Sequence, residues 1–338
     1  MRPVAHRFAT PAETPMKNLT LASSLFASLL VLPSCDVPLQ DTYALASTLS
    51  LPEGVAYDNT THTFFATAIN GGQITRITPL GQEIVFHSEA NQNLSFGGAH
   101  VDEERRRLWL CVVDVKTNPF PTSEVWAFNI ESKKRTHRVS LPPVSFCNDL
   151  VTDDQGVVYA TDSANPNIYK VDPKTQAFSV FLSSPQFAPV APGAVGLNGI
   201  DVAPDGEHLL AVTTIPAGLY SIPLADPQSF VAVQTSGDAF AMPGDPRFPG
   251  PDGIEFHDED LYVVYDGGVQ KLAFSDGDYT QAAVATTTAV PTGLTSITIA
   301  EGEVYVIDSE VFRALYLFLP PELPFSILHV DAGLFPNQ

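Results

Sequence analysis

The stretch GPDGIEFHDEDLYVVYDGG, residues 250–268, sets a carboxylate between Pro251 and Gly253, immediately ahead of an apolar-alternating run. Alone it says little, because Pro-Asp-Gly is an ordinary turn sequence. The arrangement recurs along the chain. PEGVAYD from Pro52, CNDLVTDDQG from Cys147 and LNGIDVAPDG from Leu197 repeat it, and FGGAHVDEERR from Phe96 and LTSITIAEG from Leu294 are weaker copies. Alignment puts Glu53, Gly97, Asn148, Asn198, Asp252 and Thr295 in one register, at gaps of 44, 51, 50, 54 and 43 residues. A period of roughly 40–50 residues marks an array of small sheets.

Each unit carries further apolar runs. After a turn come FFATAI, LWLCVVD, VYATDS, LLAVTT, LYVVYD and VYVIDS, and then GQITRIT, EVWAFNI, NIYKVDP, GLYSIPL, GVQKLAF and RALYLFL. Outer fourth strands read as QEIVFHS, RTHRVSL, AFSVFLS and FVAVQTS. Four short strands per unit, separated by Gly, Pro or Asp, describe a propeller blade. The expected fold is therefore all-β, a six-bladed β-propeller around a central channel. Its last sheet is closed either by FSILHVD near the C-terminus or by TYALAST from Thr42, and the sequence leaves both open.

Composition agrees. With 44% hydrophobic residues the 338-residue chain can bury a core, and 29 prolines and 22 glycines argue against long helices. Thirty-eight acidic residues oppose 17 basic ones, a net charge of -21. The two basic clusters, EERRRL at 103–108 and SKKRTHR at 132–138, read as solvated turns, so no nucleic-acid partner is expected. From Met16, an alternative start, MKNLTLASSLFASLLVLPSCD has the charged, apolar and small-residue regions of an export signal. No later run reaches the roughly 20 apolar residues of a membrane span. The expected organisation is a signal segment at 1–34, a linker at 35–44 and a propeller at 45–335, in a secreted or periplasmic protein. LPSC at 32–35 resembles a bacterial lipoprotein cleavage box, in which Cys35 would carry a lipid anchor, although proline is poor there. Removing residues 1–34 leaves a net charge of -23. Cys111 and Cys147 then remain, as a disulfide permitted by an oxidising compartment or as two buried thiols. Asn59-Thr60-Thr61 and Asn93-Leu94-Ser95 fit the glycosylation pattern, which matters only in a eukaryote.

The first strand of each propeller blade lines the channel, so the shared register converges on the axis. Glu53, Asn148, Asn198 and Asp252 would bring two carboxylates and two carboxamides to one point. Oxygen donors alone suit a hard cation such as Ca2+, and the absence of Cys or His from the register disfavours zinc. The plain alternative is that Asn, Asp and Gly are here turn formers ahead of strands. Thr295 and Gly97 would leave room for a ligand.

PEGVAYD, FCNDLVTDDQGVVYATDS, GLNGIDVAPDG and GPDGIEF together resemble the senescence marker protein/gluconolactonase family, related to diisopropylfluorophosphatases and paraoxonases. The resemblance covers about residues 45–330. It implies a six-bladed propeller with a catalytic calcium that hydrolyses lactones or, in some members, phosphotriesters. Glu53, Asn148, Asn198 and Asp252 would be the metal ligands, and Asp252 also the catalytic carboxylate, as base or as nucleophile. The chain departs from the sugar-lactone pattern. Phe146 and Cys147 precede Asn148 where those members carry an Arg, and Leu150 replaces a Gly, so a more hydrophobic lactone or ester is expected as substrate. His100, on the second inner strand, could approach the channel but reads first as a structural histidine, and His257 lies too far along its strand. Asp162, Asp266 and Asp308 end second strands and read as turn caps. No Gly-x-Ser-x-Gly elbow or Cys-His pair points to a covalent serine or cysteine enzyme. Two other readings stay open: a non-enzymatic propeller binding a small molecule or protein with structural calcium, and a strictosidine-synthase-like propeller, which the four candidate ligands count against. The Pro-rich loop 183–196 leads into Asn198 and is expected to cover the channel mouth.

Overall fold

The computed structural model describes residues 37–46, 51–115, 122–191, 193–237, 239–240, 250–265, 268–275, 277–289, 293–315 and 318–330. The signal segment, Cys35 and Asp266 lie outside the described residues. The fold is a six-bladed β-propeller, as the repeats require. Blades 1 to 4 follow the chain, each running from its channel strand outwards: Pro52–Asp58, Leu94–Asp102, Cys147–Thr152 and Leu197–Val202 are the inner strands of the first four sheets. Blade 5 begins at Ile254–His257 and blade 6 at Leu294–Ala300.

Two expectations about the strands are corrected. RALYLFL does not supply the third strand of blade 6, because Val311–Leu315 is a short helix. Phe325–His329 takes that place, and Thr42–Leu45 pairs antiparallel outside it, Tyr43 opposite Ile327. Both candidate segments therefore close the ring, one from each end of the chain. The last three residues read as linker, Thr42 to Ala44, belong to this strand. FVAVQTS is not one outer strand either. Val231–Ala232 completes blade 4, whereas Gln234–Ser236 crosses to run parallel to the long outer strand Asp278–Ala289 of blade 5.

Packing between sheets explains why second strands read as continuous apolar runs instead of alternating ones. Each is covered on both faces by neighbouring blades, so all six residues of Thr63–Ala68 are buried. Between blades 1 and 2 lie Phe65, Phe86, Leu110, Trp126 and Phe128; between blades 2 and 3 lie Trp109, Val125, Val158 and Tyr169. In the second of these interfaces Cys111 and Cys147 form a disulfide and are fully buried. The alternative of two free thiols is set aside.

A buried carboxylate ties blade 1 to blade 2 through an ion pair. Arg106 donates from Nη1 and Nη2 to the two carboxylate oxygens of Asp58, at 2.6 and 2.9 Å, and Asp58 is wholly buried. Burial alone would raise the Asp58 pKa; hydrogen bonds from Arg106 and Thr61 outweigh it and hold the carboxyl below its usual value. Arg106→Ala is expected to destabilise the fold by about 3 kcal/mol, because it strands a buried carboxylate. Since the folded pKa is depressed, the wild-type pair contributes fully above the unfolded value of about 4 and is lost as pH falls through the folded one. Urea unfolding of both proteins at neutral and acid pH checks this: the difference should shrink on the acid side.

Candidate metal centre

The register residues share a local geometry that the aligned motifs do not reveal. In blade 1 the pairing steps from Pro52 opposite Ala68 to Val55 opposite Ala66, leaving Glu53 and Gly54 as a bulge. The same slip brackets Gly97 and Gly98, Asn148 and Asp149, and Asn198 and Gly199, and a slip at Thr295 marks blade 6. A bulge re-aims side chains at the rim of a sheet. Asp252 precedes the inner strand of blade 5, but its N–H still donates to Val264 O at 2.8 Å.

Close approach of neighbouring blades explains the glycine that follows most register residues. A Cβ on Gly54 would lie 2.7 Å from Gly97 O, and one on Gly199 would overlap Asp252 O, to which Gly199 itself donates its N–H at 3.0 Å. Threonines on second strands stitch the same seam. Thr67 accepts from Gly54 N at 2.8 Å and donates to Gly97 O at 2.7 Å, and Thr161 links Asp149 N to Asn198 O in the same way. Thr295, on an inner strand, donates to Glu53 O at 2.7 Å.

The two carboxylates so placed are buried and lie within the field of other carboxylates. Glu53 Oε2 is buried and has no hydrogen-bond partner among the described residues. Burial, then the charges of Asp252 and Asp149, push the Glu53 pKa well above the ordinary carboxylate range. Asp252 is pushed up to about 8, by burial and then by Asp149, against a hydrogen bond from the Asn198 side chain. Asn198 Nδ2 is also anchored on Thr214 Oγ1 at 2.9 Å. Asn198 is hydrogen-bonded to Asp252, whose charge acts on Glu53, and Asn148 occupies the equivalent bulge of blade 3. An orphaned carboxylate oxygen, a second carboxylate and two carboxamides fit a hard divalent cation. Among the described residues no group of three or more His, Cys, Asp or Glu gathers as a ready metal shell; half of this donor set is carboxamide.

Further along the inner strands the channel holds a cavity of about 280 Å³ lined by His100, Asp149, Asp201, Glu255, Phe256 and Ser296, among others. Its three carboxylates were not singled out from the sequence. Asp149 accepts from Leu150 N and Ile200 N, at 2.9 and 3.3 Å; Asp201 accepts from Val202 N and Phe256 N, at 2.8 and 2.7 Å. Glu255 accepts from Ile299 N at 3.1 Å. Each reaches forward to the next blade. Burial raises Asp149 and Asp201 to about 7 despite those hydrogen bonds, and Glu255 well above its usual value. A second common register, three residues after the first, would have found Asp201 and Glu255. His100 does reach the channel: its Nε2 meets Thr152 Oγ1 at 2.9 Å, and burial pushes its pKa down to about 4, so it stays neutral. His257 does not line the cavity. Asp162 caps its turn as expected, accepting from the N–H groups of Phe146, Ala164 and Asn165. Asp308 differs, because its Oδ1 is buried without a partner among the described residues.

Residues 51–306 match the model of the SMP-30/gluconolactonase/LRE-like region. The chain belongs to that family. Searched by sequence, no curated protein matches it. Among solved structures, the major allergen Mala s 1 of Malassezia sympodialis overlays with a TM-score of 0.69 at 16% identity, over 88% of this chain and 97% of the allergen. A gluconolactonase from Xanthomonas campestris gives 0.60 at 13%, over 86% and 89%. The calcium-binding protein regucalcin from Agrobacterium tumefaciens gives 0.59 at 13%, over 87% and 95%. At these identities the overlays establish the shared fold.

Two outcomes follow from the geometry. Gly199→Ala should cost about 2–3 kcal/mol in urea unfolding, because the added methyl has nowhere to go against the Asp252 backbone. In chelator, folded pKa values raised to about 7 and 8 for Asp149, Asp201 and Asp252 mean that the fold binds protons the unfolded chain has lost. Metal-free stability is therefore greatest on the acid side and falls as pH rises towards about 8. Thermal unfolding from about pH 5 to 8 with and without calcium reads the slope, which calcium should flatten.

Proposed function

We propose that this protein is an exported, calcium-dependent hydrolase of a lactone or related ester. The observation that carries the reading is the buried donor set on the inner strands, above all Glu53 Oε2, which has no hydrogen-bond partner among the described residues and feels the Asp252 charge. Membership of a family that includes gluconolactonases supports it, and the buried disulfide agrees with an oxidising compartment. Glu53, Asn148, Asn198 and Asp252 would hold the cation. When bound, calcium would polarise the ester carbonyl and stabilise the oxyanion that develops there.

The protein's own groups supply the rest. Asp252, held by the Asn198 carboxamide, takes the proton from an attacking water or attacks the carbonyl carbon itself. Asn198 in turn is fixed by Thr214, whose hydroxyl donates to Pro251 O at 2.9 Å, so one threonine orients both neighbouring blades. Substrate choice follows from the third blade. Cys147 is committed to a disulfide and Leu150 lines the cavity, so the described wall beside Asn148 offers no cationic clamp for a polyhydroxylated ring. A lactone or ester with an apolar substituent suits it better than gluconolactone.

Acid release from a panel of aliphatic, aromatic and sugar lactones is the test, with calcium and after chelation. Asp252→Asn should keep the fold and lower turnover by at least about a hundredfold. Glu53→Gln should weaken calcium binding about tenfold or more, through the lost ligand charge. Unchanged turnover in Asp252→Asn would remove the catalytic assignment. Calcium binding without turnover of any panel member would favour a binding propeller with structural calcium.

A further inference from the structure

Asn148 is held differently from the other three candidate ligands. After Glu53, Asn198 and Asp252 comes a glycine, so those inner strands seat directly against the next blade. After Asn148 comes Asp149, whose carboxylate reaches forward to Ile200 N at 3.3 Å. Before Asn148 comes Cys147, bonded back to Cys111 on the second strand of blade 2, with the two Cα atoms 5.3 Å apart.

The anchors continue on both sides. Ser123 of blade 2 donates its hydroxyl to Ser145 O at 2.7 Å and accepts from Cys147 N at 3.1 Å. Phe146 N donates to Asp162 Oδ1 at 2.9 Å, and Asp149 N to Thr161 Oγ1 at 3.1 Å. Residues 145, 146, 147 and 149 are thus each pinned by a side chain, while Asn148 sits in the bulge where the pairing with the second strand slips. The chain has three cysteines, and two of them are used here. Both are fully buried, as is Ser123 apart from 1% of its surface, so solvent does not compete for these contacts.

We propose that the Cys111–Cys147 disulfide, with Ser123 beneath it, is a positioning element that fixes the Asn148 donor over the channel and thereby sets cation affinity. The bond crosses from blade 2 to blade 3 at the residue adjoining the donor. Without it, the bulge keeps its forward tie to blade 4 and loses the backward covalent one, and Asn148 gains freedom along the channel wall. This rests on the calcium reading given above.

Calorimetric titration with Ca2+ of the wild type, Cys111→Ala/Cys147→Ala and Ser123→Ala, together with amide exchange of the metal-free forms, tests the proposal. In the double variant the Kd should rise about tenfold, the scale seen when groups orienting metal ligands are lost, and Ser123→Ala should give a smaller rise. Exchange should quicken in peptides covering residues 145–150 and stay unchanged in blades 5 and 6. A double variant whose unfolding midpoint falls while its Kd stays within about twofold of wild type would overturn the proposal and leave the disulfide a stabilising link only. If the double variant does not fold, an unchanged Kd in Ser123→Ala, which retains the disulfide, overturns it. Wild-type protein that binds no calcium would instead bring down the hydrolase reading, and this inference with it.

Discussion

The inner strands crowd the channel so closely that neighbouring blades meet at backbone carbonyls, and the rest of the architecture accommodates that contact. Bulges at five of the six register positions re-aim the strand there, while Asp252 precedes its strand and keeps its bond to Val264. Glycine removes the Cβ that would collide at Gly54 and Gly199, and threonine hydroxyls bond the carbonyls that the bulges free from the ladder. Because a bulged residue leaves the regular pleat, its side chain is aimed by the neighbouring blade as much as by its own. The proposed metal site requires donors from four blades to meet on one axis in this way.

Crowding also concentrates charge. Glu53, Asp252, Asp149, Asp201 and Glu255 come from four blades; burial raises every one of their pKa values, and repulsion from neighbouring carboxylates adds to it for all but Asp201. The two levels of the channel answer this differently. In the cavity the carboxylates accept backbone N–H groups from the following blade and so serve as interblade hydrogen-bond acceptors. At the first register Glu53 Oε2 has no such donor among the described residues. The proposed metal reading rests on this contrast between the hydrogen-bonded carboxylates of blades 3 to 5 and the orphaned oxygen of Glu53 in blade 1.

Much of this was legible in the chain itself. Blade number followed from the recurrence of one motif, and the register Glu53, Asn148, Asn198 and Asp252 followed from aligning it. The outer strands were less legible. RALYLFL has the apolar content of a strand yet begins within a helix, because Phe325–His329 competes for the same edge of blade 6 with a better partner in Thr42–Leu45. FVAVQTS divides between two sheets for a similar reason: an edge strand is defined by the neighbour it finds, and its own pattern is weak. Asp201 and Glu255 escaped notice because a bulge shifts the alternation of inward and outward residues, so a simple two-residue count along the strand no longer identifies the channel face.

The sequence by itself determined the number of blades, the all-β class and the set of oxygen-bearing side chains placed at equivalent points in successive units, since each depends only on local pattern and period. Tertiary structure decided which ends of the chain close the ring, that Cys111 and Cys147 join, and which carboxylates are satisfied and which are left without a partner. Those outcomes depend on contacts between segments distant in sequence, Thr42 with Leu328 or Asp149 with Ile200, whose geometry exists only once neighbouring sheets have packed.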